Sequence, residues 1–510
     1  MVGRRALIAA CTLQLAGCGP LPAGASGGLA PRVGAAGSLL REDRVTITRG
    51  TEVHAVGVSR RWVYAVTADA LIVYDRNRRA WLPPFTREGG FDPALVRAVA
   101  VDPDDDSAWL LTAYGAWTLQ PLTAYVARAP GGALPTRLRV GSLDAVYREF
   151  PSLQAFAGVL ARNAATLQSF SVIAGGRAPD RTEVWLGTAG GGLFQVDPLF
   201  NSATPQPFGL ATSGAGAIAR AADGVWIAPA PRPGDARLAL TLASRDLQQW
   251  RWLDDDGRGG FGGARATALD VRDGTLWMGT TRGLLRVSAN GHGARAFTPM
   301  SGLPSDLVLS VLARADGIWV GTSRGLAFLP SDSAEGRGVA VPQGAVADVP
   351  VNALLATGDT LWVGTDAGLL LRTPGATGRF VRPGEAPGTQ RLRQPVRALA
   401  RADSLVFIAL RDAVETFDLR TGSWRDAWPA APWRSVGDIE VAAADARGIW
   451  VGGALGVLAV DRATGVSRSL RSGSDLPDAV TGIVLDGPWA WIATLGGVVR
   501  VRRAADGLIP

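Results

Sequence analysis

The sequence is poor in the residues that carry most protein chemistry. Of 510 residues, only two are cysteine, Cys11 and Cys18, and only two are histidine, His54 and His292. Because both cysteines fall within the first eighteen residues, the rest of the chain can form neither a disulfide nor a thiolate metal site. Two isolated histidines are too few for a zinc or haem site, so we expect no metal and no cofactor.

Charge is also scarce, and lysine is absent altogether. Charged residues make up 19% of the chain against 47% hydrophobic residues, which is typical of a folded protein. The net charge of +7 is spread over 510 residues without a basic and aromatic cluster, so we expect no nucleic-acid partner. The 65 glycines and 32 prolines favour many short strands and tight turns, because both residues are costly inside helices.

The first eighteen residues have the organisation of an export signal. Two arginines precede an apolar run from 6 to 16, which is too short to cross a bilayer, since a spanning helix needs about 20 residues. The run leads into Leu15-Ala16-Gly17-Cys18, which resembles the lipobox of bacterial lipoproteins. The resemblance implies that Cys18 carries a lipid and becomes the mature N-terminus. An uncleaved apolar anchor is the alternative.

Residues 19–44 are rich in glycine, alanine and proline, which is typical of a tether between a lipid anchor and a folded domain. Such a tether places the folded part on the periplasmic side of the cell envelope. By resemblance to proteobacterial sorting signals, Gly19 after the cysteine favours the outer membrane.

One motif recurs through the remainder of the chain. The best copies are VWLGTAGGGLFQV (184–196), LWMGTTRGLLRV (276–287), IWVGTSRGLAFL (318–329), LWVGTDAGLLLR (361–372) and IWVGGALGVLAV (449–460). The last six anchors are 42, 43, 45, 43 and 41 residues apart, and a period of this length is typical of propeller blades. The large aromatic anchors of the copies are Trp109, Trp185, Trp226, Trp277, Trp319, Trp362, Phe407, Trp450 and Trp491.

Each copy can be divided into four strands by its alternation of residues. From 266 onward, ATALDV predicts a first strand, Asp273-Gly274 a tight turn, and LWMGT, LLRV and ARAFT three further strands. The sequence therefore predicts an all-β fold, a single β-propeller of about ten four-stranded blades within 45–503. One large anchor per blade is expected to fill the space between adjacent sheets.

The copies resemble the two-component regulator propeller repeat, whose consensus contains W-[LIV]-G-T-x-x-G-L. The resemblance extends over residues 52–503. It implies an exported sensor propeller, because in that family the repeats precede a histidine kinase, while similar repeats also occur in free-standing exported proteins. No kinase follows the repeats in this sequence, so we expect the signalling output to be absent.

The ends of the repeat region predict how the ring closes. The last copy ends at VVRV (498–501) without a fourth strand, and VTIT (45–48) stands alone before the first copy. We expect 45–48 to complete the last blade as a clasp, because this removes two open sheet edges. Residues 504–510 form a tail. One ring of ten blades is favoured over two rings of five, since no second clasp strand is visible.

One insertion breaks the period, because Trp109 and Trp185 are 76 residues apart. Within about 138–168, apolar residues recur every three or four positions, which predicts two short helices. Ser142 is expected to cap the first helix, and Pro151 to open the second. The helices either pack over one face of the ring or dock a partner. The candidate partner surface is Phe150, Leu153 and Phe156.

Catalytic patterns are weak in this chain. Ser323 lies in a G-x-S-x-G pattern, but the equivalent position is alanine, threonine or aspartate in sister copies, so it is not expected to be a nucleophile. His54 is expected to be a packing residue. The acidic segments 102–106 and 254–257 lack a complete calcium loop and are expected to be solvated turns.

These observations predict a non-catalytic binding scaffold, with membrane lipid and another exported or membrane protein as partners. It would serve as an accessory subunit of a membrane-associated complex. The alternatives are a periplasmic ligand sensor that acts through a separate signalling protein and a carbohydrate-active propeller enzyme.

The lipid anchor can be tested at Cys18. Changing Cys18→Ala removes the thiol that the lipobox-like tetrapeptide offers for acylation, so the protein should move from the membrane fraction to the soluble fraction. Cell fractionation measures the distribution of the unchanged protein and the variant, in cells that process the two alike. A variant that stays wholly with the membranes would show that another element anchors the chain.

Overall fold

The structure is a computed structural model. It describes residues 43–510 except 88–89, 124, 130–133, 165, 181–182, 255–262, 290–293, 331–340, 373–378, 384–391, 426–431, 505–508 and 510. Cys11, Cys18, the tether up to 42 and His292 lie outside the described residues. Within them, no helix is long and apolar enough to cross a membrane.

The described residues form ten antiparallel sheets, which confirms the all-β propeller class. Three sheets, named A, B and C, come first along the chain. Sheet A contains β2 (Ala55–Val58), β3 (Trp62–Val66), β4 (Leu71–Asp75) and β5 (Ala80–Trp81). Sheet B contains β6 (Val96–Val101), β7 (Ala108–Thr112), β8 (Gly115–Gln120), β9 (Tyr125–Arg128) and β10 (Arg139–Val140). Sheet C contains β11 (Ser171–Arg177), β12 (Val184–Ala189), β13 (Leu193–Asp197) and β14 (Ser202–Gln206).

The seven sheets that follow are named blades 1 to 7, and each has four strands. Blades 1 to 3 contain β15 (Gly214–Arg220), β16 (Val225–Ala230), β17 (Ala239–Ala243), β18 (Trp250–Asp254), β19 (Ala266–Arg272), β20 (Thr275–Thr280), β21 (Gly283–Ser288), β22 (Arg295–Phe297), β23 (Val308–Ala313), β24 (Gly317–Thr322), β25 (Gly325–Pro330) and β26 (Val341–Pro342). Blades 4 and 5 contain β27 (Val351–Thr357), β28 (Thr360–Thr365), β29 (Gly368–Arg372), β30 (Phe380–Val381), β31 (Val396–Ala402), β32 (Leu405–Leu410), β33 (Val414–Asp418) and β34 (Ser423–Trp424). Blades 6 and 7 contain β35 (Ile439–Ala444), β36 (Gly448–Gly453), β37 (Gly456–Asp461), β38 (Ser467–Arg471), β39 (Val480–Asp486), β40 (Trp489–Thr494), β41 (Gly497–Arg502) and, from the N-terminus, β1 (Arg44–Ile47).

The repeat motif is explained by the way one blade stacks on the next. In blade 2, Trp277 is buried against blade 3, and Gly279 lets that blade approach closely, since a Cβ at Gly279 would lie 2.6 Å from Val308 Cγ1. The hydroxyl of Thr280 donates to the carbonyl of Gly283 at 2.8 Å and so fixes the following turn. Gly283 has a φ of +124°, which only glycine adopts without strain.

Only seven of the ten sheets close into a ring. Each blade stacks its inner strand on that of the next, and blade 7 stacks on blade 1. Thr481 Oγ1 of blade 7 donates to the Ala215 carbonyl of blade 1 at 2.7 Å, just as Thr267 Oγ1 of blade 2 donates to the Val308 carbonyl of blade 3 at 2.6 Å. The expected single ring of ten blades is therefore wrong, although the number of sheets is ten.

The other three sheets form an open arc in the order C, A, B. The arc is inserted between the clasp strand β1 and blade 1. Its two connections to the ring run side by side, with Gly50 N donating to the Leu210 carbonyl and Leu210 N donating to the Thr48 carbonyl, both at 2.9 Å. Gly50 must be glycine, because a Cβ there would lie 1.7 Å from the Phe208 carbonyl oxygen.

The predicted clasp is confirmed, one residue earlier than expected. β1 pairs antiparallel with β41 and completes blade 7, with Val45 opposite Arg500. Val45 and Ile47 are buried, whereas Thr46 points to the partly exposed side. Blade 7 is thus built from both ends of the described chain, which leaves the ring no separate first or last sheet.

The predicted helices are confirmed, and the second is shorter than expected. They are α1 (Leu143–Glu149) and α2 (Pro151–Leu160). Ser142 caps α1 by accepting a hydrogen bond from Ala145 N at 3.3 Å, and Pro151 occupies the first turn of α2. The chain leaves helical geometry at Ala161. Beyond it, Phe170 N donates to the Ala161 carbonyl at 2.7 Å and Asn163 N donates to the Gln168 carbonyl at 2.8 Å.

The clasp can be tested with two neighbouring substitutions. Ile47→Ala should destabilise the ring by about 2–5 kcal/mol, because it removes a fully buried side chain between blade 7 and blade 1. Thr46→Ala is the matched control and should change stability far less. The midpoint of urea unfolding measures both. Equal, small shifts for the two variants would contradict the clasp.

Candidate functional site

The aromatic anchors divide into those that are covered and one that is not. The eight predicted anchors other than Trp109 are at most 4% exposed: Trp185, Trp226, Trp277, Trp319, Trp362, Phe407, Trp450 and Trp491. In sheet A, the equivalent residue is Tyr64, which is also fully buried. Trp109 of sheet B is only partly buried and belongs to none of the core clusters of the described residues. Among the described residues, no sheet follows sheet B on the side of this anchor.

The residue two positions after the anchor is large in sheets A and B and small in sheet C and the seven blades. In the ring, this position is always glycine or alanine, as at Gly279 of blade 2 and Ala409 of blade 5. In sheets A and B it is Val66 and Leu111. A ring blade that approached Leu111 as closely as Val308 approaches Gly279 would clash with it. Sheet B therefore cannot receive a further blade at the ring spacing.

The side of sheet B that faces away from sheet A is defined by strand alternation. Ala108 and Leu110 pack toward sheet A, so Trp109 between them points to the other side. Tyr125 and Val140 on that side are 67% and 51% exposed. We name this side the open face. Its one charged residue is Arg97, which is exposed and holds the position at which Thr267 of blade 2 reaches the next blade. The other residues of the open face are Ala98, Ala100, Trp109, Leu111, Ala116, Thr118, Gln120, Tyr125, Ala127 and Val140.

The predicted partner surface on the helices is not a continuous exposed surface. Leu153 is fully buried, and Phe150 packs against the same core as Leu153, whereas Phe156 is 49% exposed. The prediction that Leu153 faces a partner is therefore wrong. The helices cover the outer side of sheet C, where Val184 and Leu186 lie, and none of the described sheets packs there. This agrees with the packing interpretation of the insertion.

A polar cluster lies at one rim of the ring, where the inner strands of blades 4 to 6 begin. Asn352 Nδ2 donates to Asp366 Oδ1 at 2.8 Å, and an Arg397 nitrogen lies 3.5 Å from the same oxygen. Arg411 Nε donates to Asp438 at 2.8 Å, and this hydrogen bond lowers the pKa of Asp438. Asp366 and Asp438 are thus each paired with an arginine of blade 5, which favours a role in joining blades.

A cleft of about 420 Å³ lies where the arc meets the ring. Its walls include Tyr74 and Trp81 of sheet A, Trp185 of sheet C and Trp250 of blade 1. The centroid of the Tyr74 ring is 4.9 Å from that of Trp81 and 5.4 Å from that of Trp185, so the rings pack on one another. Phe208 lies between Trp81 and Trp250, at 4.9 and 5.3 Å, and connects the arc to the ring. Such aromatic pairs stabilise the junction of arc and ring by more than the free energy of their buried area alone.

The residues considered for catalysis, Ser323 and His54, lie in different parts of the fold. Ser323 in blade 3 shares a hydrogen bond of 2.9 Å with the hydroxyl of Ser305. His54 in the connection before sheet A donates from Nε2 to the Val96 carbonyl at 3.0 Å, and burial lowers the pKa of its imidazole. His54 is thus a packing residue, as predicted.

The acidic turn is also occupied by internal contacts. Asp102 forms an ion pair of 2.8 Å with Arg137, and its hydrogen bond to Arg137 lowers the pKa of Asp102. Throughout the described part of the chain, no group of three or more histidine, cysteine or acidic residues is close enough to hold a metal ion. Of the second acidic segment, residues 255–257 lie outside the described residues.

No protein-family model and no curated protein matches this chain. Solved structures resemble it in fold. The WD40 domain of Pan2 from Neurospora crassa is 12% identical over 58% of this chain and 91% of its own, with a TM-score of 0.40. Virginiamycin B lyase from Staphylococcus aureus is 12% identical over 57% of this chain and 96% of its own, with a TM-score of 0.43.

The extracellular domain of a putative hybrid two-component system from B. thetaiotaomicron is 12% identical over 88% of this chain and 69% of its own, with a TM-score of 0.32. The likeness is one of fold.

Two anchor substitutions test the difference between covered and uncovered sheets. Trp185→Ala should lower the free energy of unfolding by about 3–5 kcal/mol, because the indole side chain is completely buried between sheets C and A. Trp109→Ala should cost clearly less, since part of its surface already contacts water. Urea unfolding of both variants measures this. Equal losses would mean that Trp109 is covered as fully as the other anchors.

Proposed function

We propose that the chain is an exported, lipid-anchored binding protein without catalytic activity, and that the open face of sheet B binds another envelope protein. One observation carries this proposal: Trp109, a repeat anchor, is only partly covered on a mainly apolar sheet face whose one charged residue is Arg97. Exposed apolar patches on otherwise soluble folds mark sites of protein interaction. The protein would serve as an accessory subunit in a larger membrane-associated assembly.

The division into ring and arc supports this role. In the described residues, no strand of sheet B stacks on a strand of the ring, whereas sheet A meets it through Trp81 N, which donates to the Gln248 carbonyl at 3.1 Å. Sheet B is therefore the part of the arc that is free to contact another molecule. The closed ring supplies a rigid base, and the arc supplies the surface.

The chemistry of the open face favours a protein partner. A nucleic acid or an anionic lipid surface is recognised by clusters of arginine and lysine. The strand residues of the open face include a single charge, Arg97, and no basic cluster, and Tyr125 presents an aromatic ring of the kind enriched at protein interfaces. Lipid contact is assigned instead to Cys18, through the anchor that the sequence predicts.

A ligand sensor is the second candidate, and the cleft between arc and ring favours it. Clefts between structural units are frequent ligand sites, and this one combines aromatic walls with the side-chain amides of Gln195, Gln206 and Gln249. However, Gln206 Nε2 already donates to Gln195 Oε1 at 3.1 Å, and Gln249 Nε2 to the Arg79 carbonyl at 2.9 Å. A ligand would have to replace these bonds, so the open face is preferred.

The proposal can be tested by quantitative co-purification from detergent-solubilised membranes of the native host. Tyr125→Asp places a charge on the open face without disturbing buried packing, so it should remove a partner that the unchanged protein recovers stoichiometrically. Phe200→Asp is the matched control, because Phe200 is 79% exposed in the turn after β13.

Recovery of the same partner by all three proteins would exclude the open face as the binding surface. If the unchanged chain recovers no partner at all, the accessory-subunit role is wrong. Isothermal titration of the purified chain with small molecules would then decide for or against the sensor.

A further inference from the structure

We infer that the open face is covered by a β-sheet of a different protein, which presents branched aliphatic side chains to Trp109. This inference rests on the proposed function and adds the kind of partner. It also excludes a second copy of this chain as the occupant. Three observations lead to it: how equivalent faces are covered, which residue stands beside the anchor, and what covers the other end of the arc.

Every other anchor-bearing face in the described chain is covered by an antiparallel sheet. Trp277 lies against Val308, Ile318 and Val320 of the next blade. Branched aliphatic residues stand at the same three positions over Trp319, Trp362 and Phe407: Val351, Leu361 and Val363; Val396, Val406 and Ile408; and Ile439, Ile449 and Val451. The shape of an anchor-bearing face is thus complementary to a pleated sheet with aliphatic side chains.

Leu111 sets the distance at which such a sheet can bind. The stack of sheet B on sheet A gives the precedent, because Val66 stands there at the position of Leu111 and is fully buried with Val99 and Val101 in one core. A sheet can therefore cover an anchor-bearing face whose glycine has been replaced. The partner must leave room opposite Leu111. A blade of this chain packed at the ring spacing leaves no such room.

A second copy of this chain does not offer the required surface. The matching side of sheet C carries Val184 and Leu186, but α1 and α2 cover it through Val146 and Leu153. All seven blades are stacked on both sides in the closed ring. Head-to-tail stacking of copies, which would generate an open filament, is thereby blocked. A two-fold contact between open faces would offer Trp109 only Leu111 and Val140 as branched aliphatic residues. These lie on β7 and β10, which are separated by β6, whereas the three residues over each ring anchor come from neighbouring strands.

Site-specific photocrosslinking in the native host tests the inference with the full-length, processed protein. p-Benzoylphenylalanine replaces Tyr125 on the open face, and in a control protein it replaces Phe200. The expected result is one crosslinked protein from position 125 and not from position 200. Mass spectrometry should place the crosslink on a β-strand of that protein, beside valine, isoleucine or leucine.

The contrary outcomes are distinct. A crosslink to a second copy, to residues 19–42 of the same chain, to lipid, or to a helix of another protein overturns the inference. The crosslink to a helix would leave the proposed function standing. Absence of any product specific to position 125 would contradict both the inference and the proposed function.

The identified partner, once purified, gives an affinity measurement. Tyr125→Asp should raise the Kd at least about tenfold, because a carboxylate would be buried without a partner, while Phe200→Asp should leave it unchanged. Trp109→Ala should also raise the Kd, with the circular dichroism spectrum showing that the variant is folded. An unchanged Kd for Tyr125→Asp would overturn the inference.

Discussion

The whole molecule depends on one contact, the burial of a large aromatic anchor by the neighbouring sheet. A sheet of four short strands cannot bury its own anchor, so each sheet needs another beside it. In the ring, a glycine or alanine two residues after the anchor lets the inner strand of the next blade come close. Polar side chains such as Thr267 and Thr481 then bond the first carbonyls of that strand. Repetition of this contact seven times closes the ring.

An open arc has two ends, and this protein treats them differently. At sheet C, the chain supplies α1 and α2 as a cover, which buries Leu153 and Val146 against Val184 and Leu186. At sheet B, the described residues supply no such cover, and Trp109 stays partly exposed. The contrast gives the helical insertion a structural role and transfers the expected interaction surface from the helices to sheet B. Binding at sheet B would complete the pattern of covered anchors that the rest of the chain already obeys.

Much of this organisation could be predicted from local signals. The repeat predicted the strands, and the lone strand before the first copy predicted the clasp. In the predicted Asp273-Gly274 turn, both residues have the positive φ that such a hairpin needs. The helix boundaries at Ser142 and Pro151 followed from capping chemistry. Two signals of the arc were present in the sequence and missed. Val66 and Leu111 replace the small residue that lets the next blade come close in the ring, and the long insertion interrupts the repeat period between sheets B and C.

The sequence by itself determined the unit, a four-stranded sheet with an aromatic anchor, because strand alternation and turn residues act within a few positions of one another. It also determined that the chain lacks thiol chemistry after Cys18. Only the tertiary structure decided that blade 7 meets blade 1, that three sheets stay outside the ring, and that Trp109 lacks a following sheet. The reason is that all copies share one local pattern, whereas which copy stacks on which depends on contacts between residues as distant as Ala215 and Thr481.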